Sequence, residues 1–181
     1  MTDVARFEAF VREYQDMVFA TAVRLLGRES DAEDVAQTVF MRAFERFAEI
    51  ADSPAVAGWL KTVTTNLCLN HLKRYRSRWR FFSEMERDYT GPSLEDRIAR
   101  ITAGPDERER VERMERAERV ERSLRGLPDH QRVPLVLFHF EELSYQDIAE
   151  KLGVSLAKVK SDIHRGREAL KQELAGQHGP G

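Results

Sequence analysis

Apolar residues recur every three or four positions through the first half of the chain, a spacing typical of amphipathic α-helices. The first run covers residues 7–25 and stops before Gly27, a residue that suits the left-handed turn after a helix. A second run follows Ser30, which forms a capping-box pattern with Glu33 and predicts a helix start. Ser53, with a proline directly after it, suits the cap of a third helix. The first half therefore predicts three helices.

The middle of the chain departs from this periodicity. Glycine and proline interrupt residues 89–106, whereas residues 107–122 mix acidic and basic groups in the manner of a solvated helix. Strand-like alternation and internal repeats are absent from the sequence. We therefore predict an all-α protein of two small helical domains joined by a flexible linker. The predicted division is an N-terminal domain over 1–90, a linker over 91–118, a C-terminal domain over 119–175 and a disordered tail over 176–181.

Residues 144–174 carry the most specific local pattern. Ser144 predicts the start of a short helix over 145–152, Gly153 predicts a turn, and Ser155 predicts the cap of a second helix. Two helices that cross steeply need a small contact residue and a left-handed turn position, and both are available here. The pattern predicts a helix-turn-helix in the C-terminal domain. The buried side of its second helix is expected to hold Leu156, Val159, Ile163 and Leu170.

The other side of this second helix has the chemistry of a DNA-reading surface. Arg165 can read guanine with two hydrogen bonds, and serine or lysine side chains can reach phosphates. Asp162, at the edge, would repel the DNA backbone unless it accepts from cytosine or pairs locally. The plain alternative is a solvated charged face. The predicted duplex-binding residues are Ser155, Ala157, Lys158, Lys160, Ser161, His164, Arg165 and Arg167.

Composition narrows the possible functions. The 181 residues contain 29 Lys and Arg against 31 Asp and Glu, so a basic surface must be local. The sharpest concentration of cations is the run over 72–80, which also holds two aromatic residues. Because charge interrupts every apolar stretch well short of about 18 residues, neither secretion nor membrane insertion is expected.

Catalytic and metal-binding patterns are missing from the sequence. The helical Glu-x-x-His motif, the Gly-x-Ser-x-Gly motif and a glycine-rich phosphate loop do not occur, so we expect no enzyme and no cofactor. The single cysteine, Cys68, cannot form an internal disulfide and suits a reducing compartment. Cys68 and His71 could supply half a metal site, but a buried thiol beside a packing imidazole is the favoured interpretation, and no metal is predicted.

Several motifs in order resemble the extracytoplasmic-function (ECF) sigma factors of the sigma-70 family. They are the string Asp-Ala-Glu-Asp-Val-Ala-Gln over 31–37, Trp-Leu at 59–60, Asn-Leu-Cys-Leu-Asn over 66–70, Leu-Pro at 127–128, and Val-Lys-Ser with His-Arg over 159–165. The similarity covers nearly the whole chain. It implies a promoter-specificity subunit that binds core RNA polymerase, recognises promoter DNA and promotes strand opening.

The resemblance implies that the second helix docks on the clamp of core polymerase. The helical wheel agrees independently, because it gathers an acidic and amide surface with one exposed methionine. The family usually has glutamate where this chain has Thr38, so one expected acceptor is missing. The alternative is a solvent-exposed helix face with no binding partner. The predicted polymerase-binding residues are Asp34, Gln37, Thr38, Met41 and Glu45.

Promoter opening requires a pocket for an unstacked base and cations for a single-stranded backbone. The resemblance places base capture in the connection from Phe47 to Trp59, with Ala51, Asp52 and Ser53 at its tip. Asn66 and Asn70 lie one turn apart on the following helix, where the alternatives are a polar task or a buried hydrogen bond. The residues predicted to meet phosphates in recognition and melting of the minus-ten element are Lys73, Arg74, Arg76 and Arg78.

Two other classes of protein are alternatives to this interpretation. An enzyme has no supporting motif. A free-standing helix-turn-helix regulator would need a dimer seam, and the charged helix over 107–122 has too few apolar positions for one. The expected partners are core RNA polymerase through its β and β′ subunits, promoter DNA and an anti-sigma factor. The expected location is the cytoplasm.

Overall fold

The computed structural model describes residues 2–79 and 107–176, with the backbone alone over 74–79. Contacts divide the chain into two compact units, over 1–89 and 90–181, each of which is described by itself. The N-terminal unit contains α1 (Asp3–Leu26), α2 (Glu29–Glu45), α3 (Phe47–Ile50) and α4 (Val56–Trp79). The C-terminal unit contains α5 (Glu107–Gly126), α6 (Asp129–His139), α7 (Tyr145–Leu152) and α8 (Leu156–Gly176). The described residues form no strand, and the all-α prediction is confirmed.

The predicted linker and tail fall mostly outside the described residues. Residues 80–106 and 177–181 are not described, and residues 107–118 of the predicted linker form the first twelve of the twenty residues of α5. The charged helix expected over 107–122 is present and extends to Gly126. Its charge pattern gives exposed ion pairs between residues four apart, such as Arg113 with Glu109.

The N-terminal unit is a bundle in which α1, α2 and α4 pack against one another. Leu25, Val39, Leu60 and Cys68 are fully buried between these helices. Alanines on α1 and α2 are also fully buried, which allows the helix backbones to approach closely. Gly27 closes α1 as predicted, with a φ of 74° and its N–H bonded to the carbonyl of Val23 at 2.8 Å.

Two helix starts in this unit differ from the sequence prediction. The capping box at Ser30 is wrong, because α2 begins at Glu29 and places Ser30 inside its first turn. The reason is tertiary packing, because Ala32 and Val35 in the first two turns are buried in the bundle and fix where the helix begins. The helix predicted to follow Ser53 is α4, which begins at Val56. The Ser53 hydroxyl accepts from the N–H of Ala55 at 3.2 Å. Ser53 therefore caps the turn that leads into the helix.

The C-terminal unit is built on the contact between α6 and α8. Gly166 of α8 is buried so close to α6 that a Cβ atom there would lie 3.4 Å from the Gln131 carbonyl. Val159 and Ile163 are buried as predicted, whereas Leu156 is 43% exposed. The Leu156 prediction is wrong because this residue begins α8, ahead of the segment that packs on the core.

A buried arginine stabilises the start of α6. Arg132 is 1% exposed and donates to the carbonyl of Leu127 at 2.9 Å and to the carboxylate of Asp129. The carbonyl precedes the helix and the carboxylate lies in its first turn. Arg132 thereby links the loop before α6 to the helix, by charge-assisted hydrogen bonds from a buried guanidinium.

Candidate nucleic-acid and polymerase interfaces

The helix-turn-helix has the local chemistry that the sequence predicts. The Ser144 hydroxyl accepts from the N–H of Asp147 at 3.1 Å and caps α7. Gly153 has a φ of 64° and ends α7 in the left-handed region. The Ser155 hydroxyl accepts from the N–H of Lys158 at 3.2 Å and caps α8. The two helices and their turn are therefore confirmed, with α7 spanning the predicted residues.

The outward side of α8 is open to a ligand. All eight residues predicted to bind duplex DNA are exposed in the structure. Gly166, on the opposite side, faces α6. The surface therefore has the exposure that duplex reading requires, and the role of each of its residues stays a prediction.

Two cations of this surface have partners within the protein. The Lys158 ammonium lies 2.7 Å from a carboxylate oxygen of Asp162, which is buried at 6% exposure. Of the alternatives for Asp162, local pairing is the one observed. Arg167 donates from Nε to Nε2 of His139 at 3.0 Å, and its guanidinium lies 5.5 Å from the centre of the Phe138 ring.

The contact with Arg167 affects the ionisation of His139. Burial of the imidazole lowers its pKa below the usual 6.5, and the positive charge of Arg167 lowers the pKa further. A neutral imidazole keeps a lone pair for the Arg167 N–H. Arg167 is therefore held against α6, a contact that the helical wheel of α8 could not indicate.

The predicted polymerase-binding residues of α2 are exposed on one side of that helix. Met41 is 62% exposed, and the Thr38 hydroxyl donates to the carbonyl of Asp34 at 3.1 Å. Sequence reasoning missed Phe44, which is 57% exposed and lies three residues after Met41 on the same helix. Its ring meets Phe7 edge-on at 4.9 Å. The available signal was an aromatic residue one turn beyond an exposed methionine.

The predicted melting loop lies between α3 and α4. Ile50 is buried and anchors the loop, whereas Asp52 projects into solvent. An Arg6 nitrogen lies 3.3 Å from an Asp52 carboxylate oxygen, and the same guanidinium lies 5.9 Å from the centre of the Phe47 ring. Ala51 is half-buried. The N-terminal end of α1 thus contacts the tip of this loop, although the two segments are 46 residues apart.

The polar residues of α4 continue from the loop towards the basic run. Asn66, Asn70 and Lys73 are exposed. Arg74, Arg76 and Arg78 belong to the helical backbone of α4, and their side chains lie outside the described residues.

Cys68 and His71, which could supply half a metal site, are not joined by further ligands among the described residues. Cys68 is buried, and Nε2 of His71 lies 3.6 Å from a carboxylate oxygen of Asp31. Within residues 2–79 and 107–176, no group of three or more histidine, cysteine or acidic residues could hold a metal ion. Over the same residues, no helix is long and apolar enough to cross a membrane.

Comparisons with known proteins match both units. The family described as sigma-70 region 2 matches residues 10–78, and the family described as sigma-70 region 4 matches residues 117–170. The chain is 31% identical to the RNA polymerase sigma-E factor of Streptomyces avermitilis, over 95% of this chain and 87% of that protein. It is 29% identical to the ECF RNA polymerase sigma factor SigW of Bacillus subtilis, over 95% of this chain and 90% of that protein.

A further relative and one solved structure extend the comparison. The chain is 36% identical to the ECF RNA polymerase sigma factor SigE of Mycolicibacterium smegmatis, over 93% of this chain and 62% of that longer protein. The sigma factor RpoE of Bartonella quintana, solved in complex with the anti-sigma factor NepR, has a TM-score of 0.53 at 21% identity and covers 93% of this chain and 96% of that chain. At that identity the likeness concerns the fold alone.

The identity to whole sigma factors and the two matched regions in the same chain order agree with the two helical units described above. A regulator that consisted of a helix-turn-helix alone would leave residues 10–78 without an explanation. The chain belongs to the ECF group of the sigma-70 family, the sigma factors that confer promoter specificity on RNA polymerase.

Proposed function

We propose that this sigma factor divides promoter initiation between its two units. The exposed face of α2 binds the clamp of core RNA polymerase through the β and β′ subunits. The loop over 51–53, with Asn66, Asn70 and the cations that follow on α4, recognises and opens the minus-ten element. The outward face of α8 reads the minus-thirty-five element as intact duplex. The protein acts by binding alone, with no catalytic residue of its own, in the cytoplasm.

One observation carries this assignment: the predicted polymerase and duplex faces are both exposed, on units that match region 2 and region 4. An acidic and amide face on α2 with an exposed methionine provides polar specificity and an adaptable apolar contact. The aromatic ring of Phe44 extends the apolar part of this face. Exposed aromatic residues are frequent anchors of protein interfaces.

We include an anti-sigma factor among the partners. The solved complex of RpoE with NepR is a precedent in a protein of similar fold. A partner that covered the exposed faces of α2 and α8 would block polymerase and promoter together. The inhibitor is therefore expected to compete with core polymerase for α2.

Docking on polymerase is tested by the double substitution Asp34→Ala, Gln37→Ala. Both side chains are exposed, so helicity should be unchanged while affinity for core polymerase falls about tenfold or more, as expected for interface residues that each contribute about 1 kcal/mol. Affinity is measured by titrating labelled protein with core enzyme. Glu13→Ala, Gln15→Ala on α1 is the matched control, with the same loss of one acid and one amide. Equal affinity of the wild type and the α2 variant would remove this face from the docking surface.

Duplex reading is tested by Arg165→Ala. Loss of a guanidinium that reads a base should cost about 1–3 kcal/mol of binding and relax preference at one promoter position. Binding of the polymerase holoenzyme to a panel of single-base promoter variants measures this preference. Arg113→Ala, an exposed arginine of α5, controls for the loss of one positive charge. A loss that is uniform across the panel would assign Arg165 to a phosphate instead.

A further inference from the structure

The recognition helix α8 contains a buried acid beside a cation of its DNA-facing side. The Asp162 side chain is 8% exposed, and one of its oxygens lies 2.7 Å from the Lys158 ammonium. Lys158 lies one turn before Asp162, and its side chain is 48% exposed. The pair therefore joins a buried negative charge to a half-exposed positive one, inside the surface assigned to duplex DNA.

Burial makes this pair difficult to separate. If Lys158 left Asp162 to contact a phosphate, the carboxylate would remain in a site almost closed to water without its compensating charge. Removing one partner from a buried ion pair is strongly unfavourable, whereas a single exposed ion pair with the DNA backbone is weak. Lys158 is therefore expected to remain on Asp162 when DNA approaches.

A lysine in this position contributes little to the charge-driven part of DNA binding. Cations that neutralise phosphates release condensed counterions, and each one steepens the salt dependence of affinity. The Lys158–Asp162 pair has no net charge, so its approach to the backbone replaces no counterion. Lys160, which is exposed on the same helix, provides the internal comparison.

We propose that Asp162 is a specificity-determining residue, which holds Lys158 and thereby lowers the sequence-independent, charge-driven binding of α8 to duplex DNA. The effect leaves base reading by the rest of the face unchanged and raises the ratio of specific to non-specific affinity. This inference rests on the proposed function of α8 as the duplex-binding surface.

The test is the salt dependence of binding between the full chain and a short random-sequence duplex. Asp162→Asn frees Lys158 and should steepen the slope of log affinity against log salt by about 0.9. Between about 50 and about 200 mM salt, this variant should lose about three- to fourfold more affinity than the wild type. At the lower salt concentration it should bind the random duplex more tightly than the wild type.

Two further variants separate the inference from the proposed function. Lys158→Met with Asp162→Asn removes both charges and should return the slope to the wild-type value, even if Asp162→Asn alone fails to fold. Lys160→Met should make the slope shallower by about 0.9 if α8 binds the backbone at all. If Lys160→Met has a shallower slope, α8 binds the DNA backbone. In that case a wild-type slope for Asp162→Asn, or a shallower slope for the double variant, would overturn the inference and leave the proposed function of α8 intact. Absence of any salt-dependent duplex binding by the wild type would overturn both the inference and the assignment of α8.

Discussion

Replacement of Arg132 by alanine is expected to lower the unfolding free energy of the C-terminal unit by about 3–5 kcal/mol. The substitution removes the donor to the Leu127 carbonyl and to Asp129, and it leaves a cavity in a site that is 1% exposed. Deletion of a large buried side chain costs about 2–5 kcal/mol, and the Leu127 carbonyl left without its donor adds about 1–3 kcal/mol. Asp129 adds little, because its side chain is 40% exposed and can be solvated. Since small domains are stable by about 5–15 kcal/mol, much of the helix-turn-helix unit's stability would be lost.

The two units allow this effect to be assigned within the full chain. Both tryptophans, Trp59 and Trp79, belong to the N-terminal unit, so tryptophan fluorescence reports that unit while far-UV circular dichroism reports both. In urea, the Arg132→Ala variant should lose helical signal early, with an unchanged fluorescence midpoint. Arg132→Met, which retains more of the volume, should be less destabilised. The exposed Arg113→Ala should change stability by less than about 0.5 kcal/mol. A urea-unfolding curve for Arg132→Ala that matches the wild type in circular dichroism would contradict the stabilising role of Arg132.

The second large effect concerns promoter opening. Combined substitution of Asp52, Ser53 and Asn66 by alanine should lower the yield of open complexes about tenfold or more, because hydrogen bonds to an unstacked base contribute about 1 kcal/mol each. All three residues lie on the loop or on the helix that follows it, and none belongs to the predicted polymerase face of α2. Polymerase association and upstream duplex binding should therefore be largely intact. Permanganate reactivity of promoter thymines measures the opening, and Glu8→Ala on α1 is the control.

A pre-opened promoter bubble separates two causes of this defect. The bubble removes a melting cost of about 1–2 kcal/mol per base-pair step and should restore part of the activity if the variant fails in melting. Loss of base capture would persist on the bubble. Because the Ser53 hydroxyl accepts from Ala55, a small loss of stability from the cap is expected and is monitored by tryptophan fluorescence. Normal opening of linear promoters by the triple variant would show that the loop only connects α3 and α4 and has no role in melting.

Local chemistry explains which features the sequence could predict. Ser144, Gly153 and Ser155 act on the backbone of their own turns, so the bounds of α7 and the turn follow from residue type alone. The same holds for Gly27 at the end of α1. These predictions need no knowledge of the rest of the fold.

The features that escaped prediction depend on contacts between distant segments. The α2 start was misplaced because the packing of Ala32 and Val35 in the bundle overrides the capping pattern of Ser30. Arg132 reads as an ordinary surface cation until the loop before α6 is placed against it. The Arg6 contact with Asp52 joins residues 46 positions apart, and no local pattern specifies it.

The candidate sites divide in the same way. Helical spacing predicted which side of α2 and α8 is exposed, because the apolar stripe fixes the opposite side. The pairing of Lys158 with Asp162, four residues on, was an alternative that the sequence left open. The contact of Arg167 with His139 could not be predicted, because it depends on the position of α6. Phe44 received no role from the sequence, because its exposure depends on how its ring packs against Phe7 of α1.

The account is tested most directly by transcription from genomic DNA fragments with purified core RNA polymerase, with and without the chain. The account predicts transcripts that start at discrete positions only when the chain is present, with permanganate-reactive thymines at those starts. The start sites should share two upstream sequence elements, one sensitive to substitutions in α8 and the other to substitutions in the 51–53 loop. Transcription indistinguishable from that of core enzyme alone, with the chain instead binding a palindromic duplex as a dimer, would contradict it.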